Sequence, residues 1–300
     1  MSKIEKLVIA DTGIPLGILD EILQKKADIR EDELYDLYTF PNLTEILSHE
    51  NNPLVKNYFQ YSINKMLILH PIKQIVFLTN FQNHNKESEE AIKSLFPKKN
   101  ITFLGYNIVA NQFLEFFEDK NKEKYPLDMN KTLIFRCTDG RLSRIYANSL
   151  RNKNPLHITN GHYICLPGST LPLTVCEERK HLIKLIKEYM KDKNNQIEKI
   201  RIEHHGPDCG AFICYHQIEK EPDRMRSYEQ HLLNIERVWK SFIKSDKDIS
   251  SLYIELEPKT SRIIEKTLCL KHDTTSEGFI SKVYQFDFAK WKTIEFATIN

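Results

Sequence analysis

Two apolar runs of β type constrain this chain more than any other feature, because each ends abruptly in residues that bind metal. Leu133, Ile134 and Phe135 lead into Cys137, which is followed by Thr138-Asp139-Gly140-Arg141. Ile200 and Ile202 lead into His204-His205-Gly206-Pro207-Asp208-Cys209-Gly210. A thiol just past one strand, with a His/Cys pair just past another, is what a zinc site at the carboxyl edge of a sheet requires. The rest of the chain reads as scaffold that brings those two strand ends together.

The remaining sequence alternates short strand signals with helical spacing. Residues 7–10 form an apolar run closed by the turn Asp11-Thr12-Gly13, and Ile18, Leu19, Ile22 and Leu23 then repeat at helical spacing. Residues 25–50 read as polar and irregular. Pro53 opens a helix, 72–78 is a strand, 87–95 a helix and 101–104 a strand broken by Gly105. The charged stretch 118–124, with Pro126, reads as a linker. Beyond it the order recurs: a strand at 132–136, a helix at 142–150, and short runs 157–158 and 163–166 around a turn. Then come a helix through Leu182, Ile186 and Met190, the strand 197–202, a long helix through Ile235 and Phe242, and a strand at 252–256. This predicts an α/β fold with a largely parallel sheet flanked by helices.

The recurrence also predicts two similar halves, 1–125 and 126–300, packed as a pseudo-dimer. Lys6-Leu-Val-Ile-Ala-Asp11 lies over Thr132-Leu-Ile-Phe-Arg-Cys137 without gaps at an offset of 126, and 72–77 lies over 197–202 at an offset of 125. On this pairing Asp11, Gly13 and Pro15 stand where Cys137, Asp139 and Arg141 stand. Asn80 and His84 face His205 and Cys209. The first half then lacks the thiolates and binds no zinc.

Composition narrows the function class. Of 300 residues, 41% are hydrophobic and 28% charged, as in ordinary globular proteins. The formal net charge of +2 is near neutral, so nothing argues for nucleic acid or an anionic membrane as partner, and neither is expected. No run approaches the roughly 18 apolar residues of a membrane span. The first residues run straight into the 7–10 strand without a signal-peptide pattern, so a cytoplasmic setting is expected. In that setting the six cysteines, 137, 165, 176, 209, 214 and 269, are expected as thiols or ligands.

Cys137-x-Asp139-x-Arg141, followed by a His…Cys-Gly turn after a later strand, resembles the β-class carbonic anhydrases. The resemblance covers about residues 130–256, including Leu166-Pro167-Gly168 between the motifs. It implies a parallel-sheet α/β fold, zinc held by Cys137, His205 and Cys209, and dimers or larger homo-oligomers with sites near the subunit interface. It further implies the reversible hydration of carbon dioxide to bicarbonate by zinc-bound hydroxide. Water on such a zinc has its pKa lowered towards roughly 7. Asp139 would hold that water or ligate zinc in a resting form, and Arg141 would restrain Asp139.

One departure from the family pattern stands out. Three residues before Cys209 is Gly206, and His205 is four before, so the turn carries an extra residue. A bulge can still deliver His205, or the turn can present His204 instead. The alternative reading is a catalytically inactive relative that acts as a structural or binding module with a structural zinc. His162, His181, His216 and His231 have no partner at ligand spacing and are not expected as ligands. Ser169-Thr170, in a Pro-Gly loop, suits a small anion or is generic loop polarity.

Overall fold

The computed structural model of the protein describes residues 4–14, 16–30, 33–49, 52–80, 85–109, 112–116, 124–126, 131–142, 161–206, 209–216, 230, 233–235, 237–238, 240–242, 247–255, 266–275, 278–287 and 290–295. Strand β1 (Lys6–Asp11) is buried at five of its six positions. Leu7 and Ile9 join one core cluster, Val8 and Ala10 another. A strand that is apolar on both faces belongs inside a parallel sheet with helices on both sides. Its parallel neighbours are β2 (Tyr35–Phe40) and β3 (Gln74–Asn80), and β4 (Asn100–Val109) lies beyond β3.

Helix α1 (Leu16–Lys26) covers the Val8/Ala10 face through Leu19, Ile22 and Leu23. On the Leu7/Ile9 face lie α2 (Leu43–Ser48), α3 (Pro53–Leu69) and α4 (Lys86–Leu95), through Leu47, Phe59 and Ile92. Asn52 and Asn85 start α3 and α4, their side chains accepting from Val55 N and Ser88 N. At the outer edge, β5 (Gln112–Phe116) and β6 (Lys124–Pro126) add antiparallel strands.

Residues 132–255 lay down a second parallel set: β7 (Thr132–Cys137), β8 (His162–Leu166), β9 (Lys199–Gly206) and β10 (Asp248–Glu255). Helices α5 (Pro172–Val175), α6 (Arg179–Lys191) and α7 (Gly210–His216) accompany it. The spatial order is β2-β1-β3-β4 in the first set and β8-β7-β9-β10 in the second, the same order by rank in the chain. Registers correspond too. Lys6 stands opposite Gln74 and Thr132 opposite Lys199; Leu7 stands opposite Asp36 and Leu133 opposite His162. The two sets join antiparallel at β2 and β8, where Thr39 pairs with Cys165, 126 residues on. At the far edge of the second set, β11 (Lys266–Thr275), β12 (Gly278–Asp287) and β13 (Lys290–Glu295) continue the sheet antiparallel. The described strands therefore form one sheet.

The α/β expectation with a largely parallel, helix-flanked core is met. Several local expectations are not. Residues 25–50 hold β2 and α2 instead of irregular chain. Gly105 does not end the third strand, because β4 runs through it to Val109. Pro126 lies in β6 rather than in a linker, at a sheet edge where a missing N–H is tolerated. Strands β11 to β13 were not expected at all. The expected helix at 142–150 and the run 157–158 fall outside the described residues, except for Leu142.

Candidate metal centre

Cys137, His205 and Cys209 come together at the carboxyl ends of β7 and β9 and the start of α7. One ligand atom from each lies within 4.8 Å of the others, and all three residues are buried. The cysteine sulfurs are 4.0 Å apart. Two sulfurs held about 2.3 Å from one ion at a tetrahedral angle stand about 3.8 Å apart, so the pair fits a metal with little movement. Two thiols and an imidazole are also a donor set that zinc favours. Gly168 N donates to Cys137 Sγ at 3.3 Å. The hydrogen bond from Cys209, with His205 nearby, holds the Cys137 thiol well below its usual range. Cys209 is pushed well above by bonding to that sulfur and by burial.

The choice between the two histidines is resolved by distance. His205 joins the cysteines, whereas His204 Nε2 lies 3.1 Å from Thr170 Oγ1. Thr170 also accepts from Asn234 Nδ2 at 3.3 Å, and the His204 ring stands edge-on to Phe212. Burial lowers the His204 pKa to about 3, with His205 adding to the effect, so His204 is a neutral member of a buried network. Residues 207–208, where the extra turn residue falls, lie outside the described residues. Thr170 is thereby engaged in orienting His204, and Ser169 beside it is fully buried.

Asp139 and Arg141 form the expected dyad. Arg141 Nε donates to both Asp139 carboxylate oxygens at 3.0 and 3.1 Å, and Arg141 N donates to Oδ1 at 3.0 Å. Asp139 Oδ2 is 3.6 Å from His205 Nε2. Burial works against the charge, but hydrogen bonds from Arg141, together with the electrostatic attraction of His205 and Arg141, hold the carboxyl well below the usual range. Asp139 is thus an ionised group fixed at the edge of the cluster.

The first half reaches this site. A small cavity beside the cluster is lined by Leu16, Asp20, Tyr35 and Leu37 from that half, and by Arg136, Cys137, Asp139 and Cys165 from the other. Tyr35 donates its hydroxyl hydrogen to Asp20. Sequence reasoning missed Asp20, Tyr35 and Arg136. It also missed Asp36, which accepts from Gly140 N at 2.9 Å. In the first half, Asp11 occupies the position of Cys137, and its carboxylate accepts from Thr44 N at 2.9 Å and Thr44 Oγ1 at 2.7 Å. Pro15, His84 and the side chain of Asn80 lie outside what the structure describes. Among the described residues, Cys137, Cys165, Cys176, Cys209 and Cys214 form no disulfide. His162 and His181 join no metal-binding group among the described residues. His231 and Trp239 lie outside those residues. No helix among the described residues is long and apolar enough to cross a membrane.

Comparison with known proteins adds little to this geometry. No family model and no curated protein sequence matches the chain. Among solved structures, the central domain of yeast acetyl-CoA carboxylase is similar at 12% identity and a TM-score of 0.25, over 97% of this chain and 41% of that one. Acetoacetyl-CoA synthetase from Streptomyces lividans gives 6% and 0.24, over 98% of this chain and 52% of that one. Glutamate racemase RacE1 from Bacillus anthracis gives 13% and 0.21, over 86% and 90%. The chain thus spans about half the length, or less, of the first two. Likeness at this level carries no argument about fold or function.

Proposed function

We propose that the protein is a zinc-dependent carbonic anhydrase-like enzyme that hydrates carbon dioxide reversibly to bicarbonate. Cys137, His205 and Cys209 would hold the zinc. The observation that carries this reading is the Cys₂His cluster with an ionised carboxylate, Asp139, 3.6 Å from its histidine. Zinc bound by three protein donors supplies a Lewis acid that brings the pKa of a water in its fourth position towards roughly 7. Asp139 would accept a hydrogen bond from water at that position. Arg141 fixes Asp139 through a fork of N–H donors, so its carboxylate points one way before substrate arrives. Gly168 N, donating to Cys137 Sγ, spreads the thiolate charge. The cavity between the halves would receive the gas.

We also read the two halves as a fused pseudo-dimer arisen by duplication, in which the first half acts as the second subunit. In support, Thr39 pairs with its own counterpart Cys165, as residues on a two-fold axis must. A catalytically inactive zinc module is the second reading. It is favoured by the depth of the cluster, where His205 and Cys209 are each 1% exposed. Zinc analysis of reduced protein, then carbon dioxide hydration with and without chelator, decides between them. One zinc per chain with chelator-sensitive hydration supports the enzyme. Zinc without hydration leaves the module. Absence of zinc sinks both.

A further inference from the structure

The first half contributes no candidate ligand to the cluster, yet it grips the loop that follows one of them, Cys137. Residues 138–140 lead from Cys137 to Arg141. Leu37 N donates to Thr138 O at 3.1 Å, and Gly140 N donates to Asp36 Oδ1 at 2.9 Å. Asp139 lies between these two anchors, so both of its chain neighbours are fastened to β2. The approach is close: a Cβ at Gly140 would stand 2.6 Å from the carbonyl oxygen of Tyr35. Asp36 is itself fully buried, and its Oδ2 lies 3.1 Å from Nδ1 of His70, at the end of α3. A carboxylate so deep is tolerated only when its charge is compensated: Gly140 N satisfies Oδ1, and Oδ2, which accepts no hydrogen bond among the described residues, meets His70 as an ion-pair contact.

The corresponding place in the second half makes the clamp specific. Leu7 stands opposite Asp36 as Leu133 stands opposite His162. His162 lies 2.7 Å from Tyr189 Oη of α6, within its own half. A carboxylate clamp is therefore not a general product of this strand order. It occurs where the held loop bears Cys137 and Asp139.

We propose that Asp36, backed by His70, is a positioning residue for the metal centre, holding residues 138–140 so that Cys137 Sγ and Asp139 face His205. This rests on reading the cluster as a zinc site. Groups outside the ligand shell that orient ligands typically change metal affinity by about 10- to 100-fold when removed.

The test is zinc affinity by chelator competition, together with melting of the stripped protein, for wild type, Asp36→Leu, Asp36→Asn and His70→Gln. Asp36→Leu should weaken zinc by about 10- to 100-fold. Asp36→Asn keeps an oxygen for Gly140 N and should recover most of the loss. His70→Gln should weaken zinc less than Asp36→Leu does. A lower melting temperature with unchanged zinc affinity in Asp36→Leu would make the residue merely structural and overturn the proposal, as would a failure of Asp36→Asn to recover affinity. If Asp36→Leu does not fold, the other two variants decide, and wild-type affinity in His70→Gln overturns the role of the pair. Wild type that takes up no zinc refutes the zinc reading itself and this inference with it, an outcome visible before any variant is made.

Discussion

Asp11 and Cys137 end corresponding strands, face similar loops and do different work. After β2 the chain runs Pro41-Asn42-Leu43-Thr44, and after β8 it runs Pro167-Gly168-Ser169-Thr170. Asn42 and Gly168 both take left-handed backbone, with φ of 53° and 71°. In the first half this loop opens α2, and Asp11 accepts both the N–H and the hydroxyl of Thr44 there. A carboxylate at a helix N-terminus is well satisfied by such donors. In the second half Gly168 N offers Cys137 a single weak bond, which leaves sulfur lone pairs for a metal. One scaffold supports a closed structural carboxylate or an open ligand, depending on the atom at the strand end.

The largest expected effect breaks the second half's side of this comparison. Cys209→Ser should lower zinc affinity by more than the roughly 100-fold that outer-shell changes reach, and most zinc should be lost on dialysis. Full retention would mean that the sulfurs are buried thiols and no more. Arg141→Ala should leave zinc near one per chain while hydration activity drops about 10- to 100-fold, because Asp139 loses its restraint. Loss of folding instead would make the dyad a structural ion pair.

A third measurement exploits the register place shared by Asp36 and His162. Burial lowers the His162 pKa to about 4. The unfolded chain takes up a proton as pH falls through about 6.5, whereas the folded chain waits until about 4. The stability contribution is therefore complete above pH 6.5 and is lost as pH falls through that window, by on the order of 3 kcal/mol. His204, lowered to about 3, adds to the loss in the same window, so denaturant titrations should show a pH 7-to-4 difference in His162→Gln that is smaller than that of wild type by on the order of 3 kcal/mol. An unchanged pH 7-to-4 difference in His162→Gln would show that His162 does not govern it. The smallest effect belongs to the first half: Asp11→Ala should cost about 1–2 kcal/mol through the loss of a helix cap and leave zinc content unchanged. A fall in zinc would show that the two strand ends are coupled.

The Cys137, His205, Cys209 cluster was legible because the three residues sit at or just past the ends of apolar runs, where a strand signal and a ligand signal coincide. The parallel core was legible for the same reason, in runs such as residues 72–78 and 197–202. Strand β2 was not, although all six of its residues are buried. Its sequence, Tyr35-Asp36-Leu37-Tyr38-Thr39-Phe40, carries an acid and a hydroxyl where a buried strand should be apolar. Both are used: Asp36 holds Gly140, and Thr39 Oγ1 donates to Tyr163 O at 2.7 Å. Those partners lie more than a hundred residues away, so no local pattern announces them. The match of Phe40-Pro41-Asn42-Leu43-Thr44 to Leu166-Pro167-Gly168-Ser169-Thr170, again at an offset of 126, was the available signal. Strands β11 to β13 were hidden by their many Lys and Thr residues, which read as solvated chain.

The junction of β2 and β8 has a mechanical consequence. Elsewhere in the parallel core, neighbouring strands run side by side over four to eight registered pairs; here, among the described residues, one pair remains. Hydroxyl groups do what ladder bonds would: Thr39 Oγ1 also accepts from Cys165 N at 2.9 Å, and Thr12 Oγ1 donates to Tyr163 O at 2.9 Å. The sheet is therefore thinnest in backbone hydrogen bonds where the halves meet, and the hold across that seam falls to the two apolar clusters, each of which draws residues from both halves.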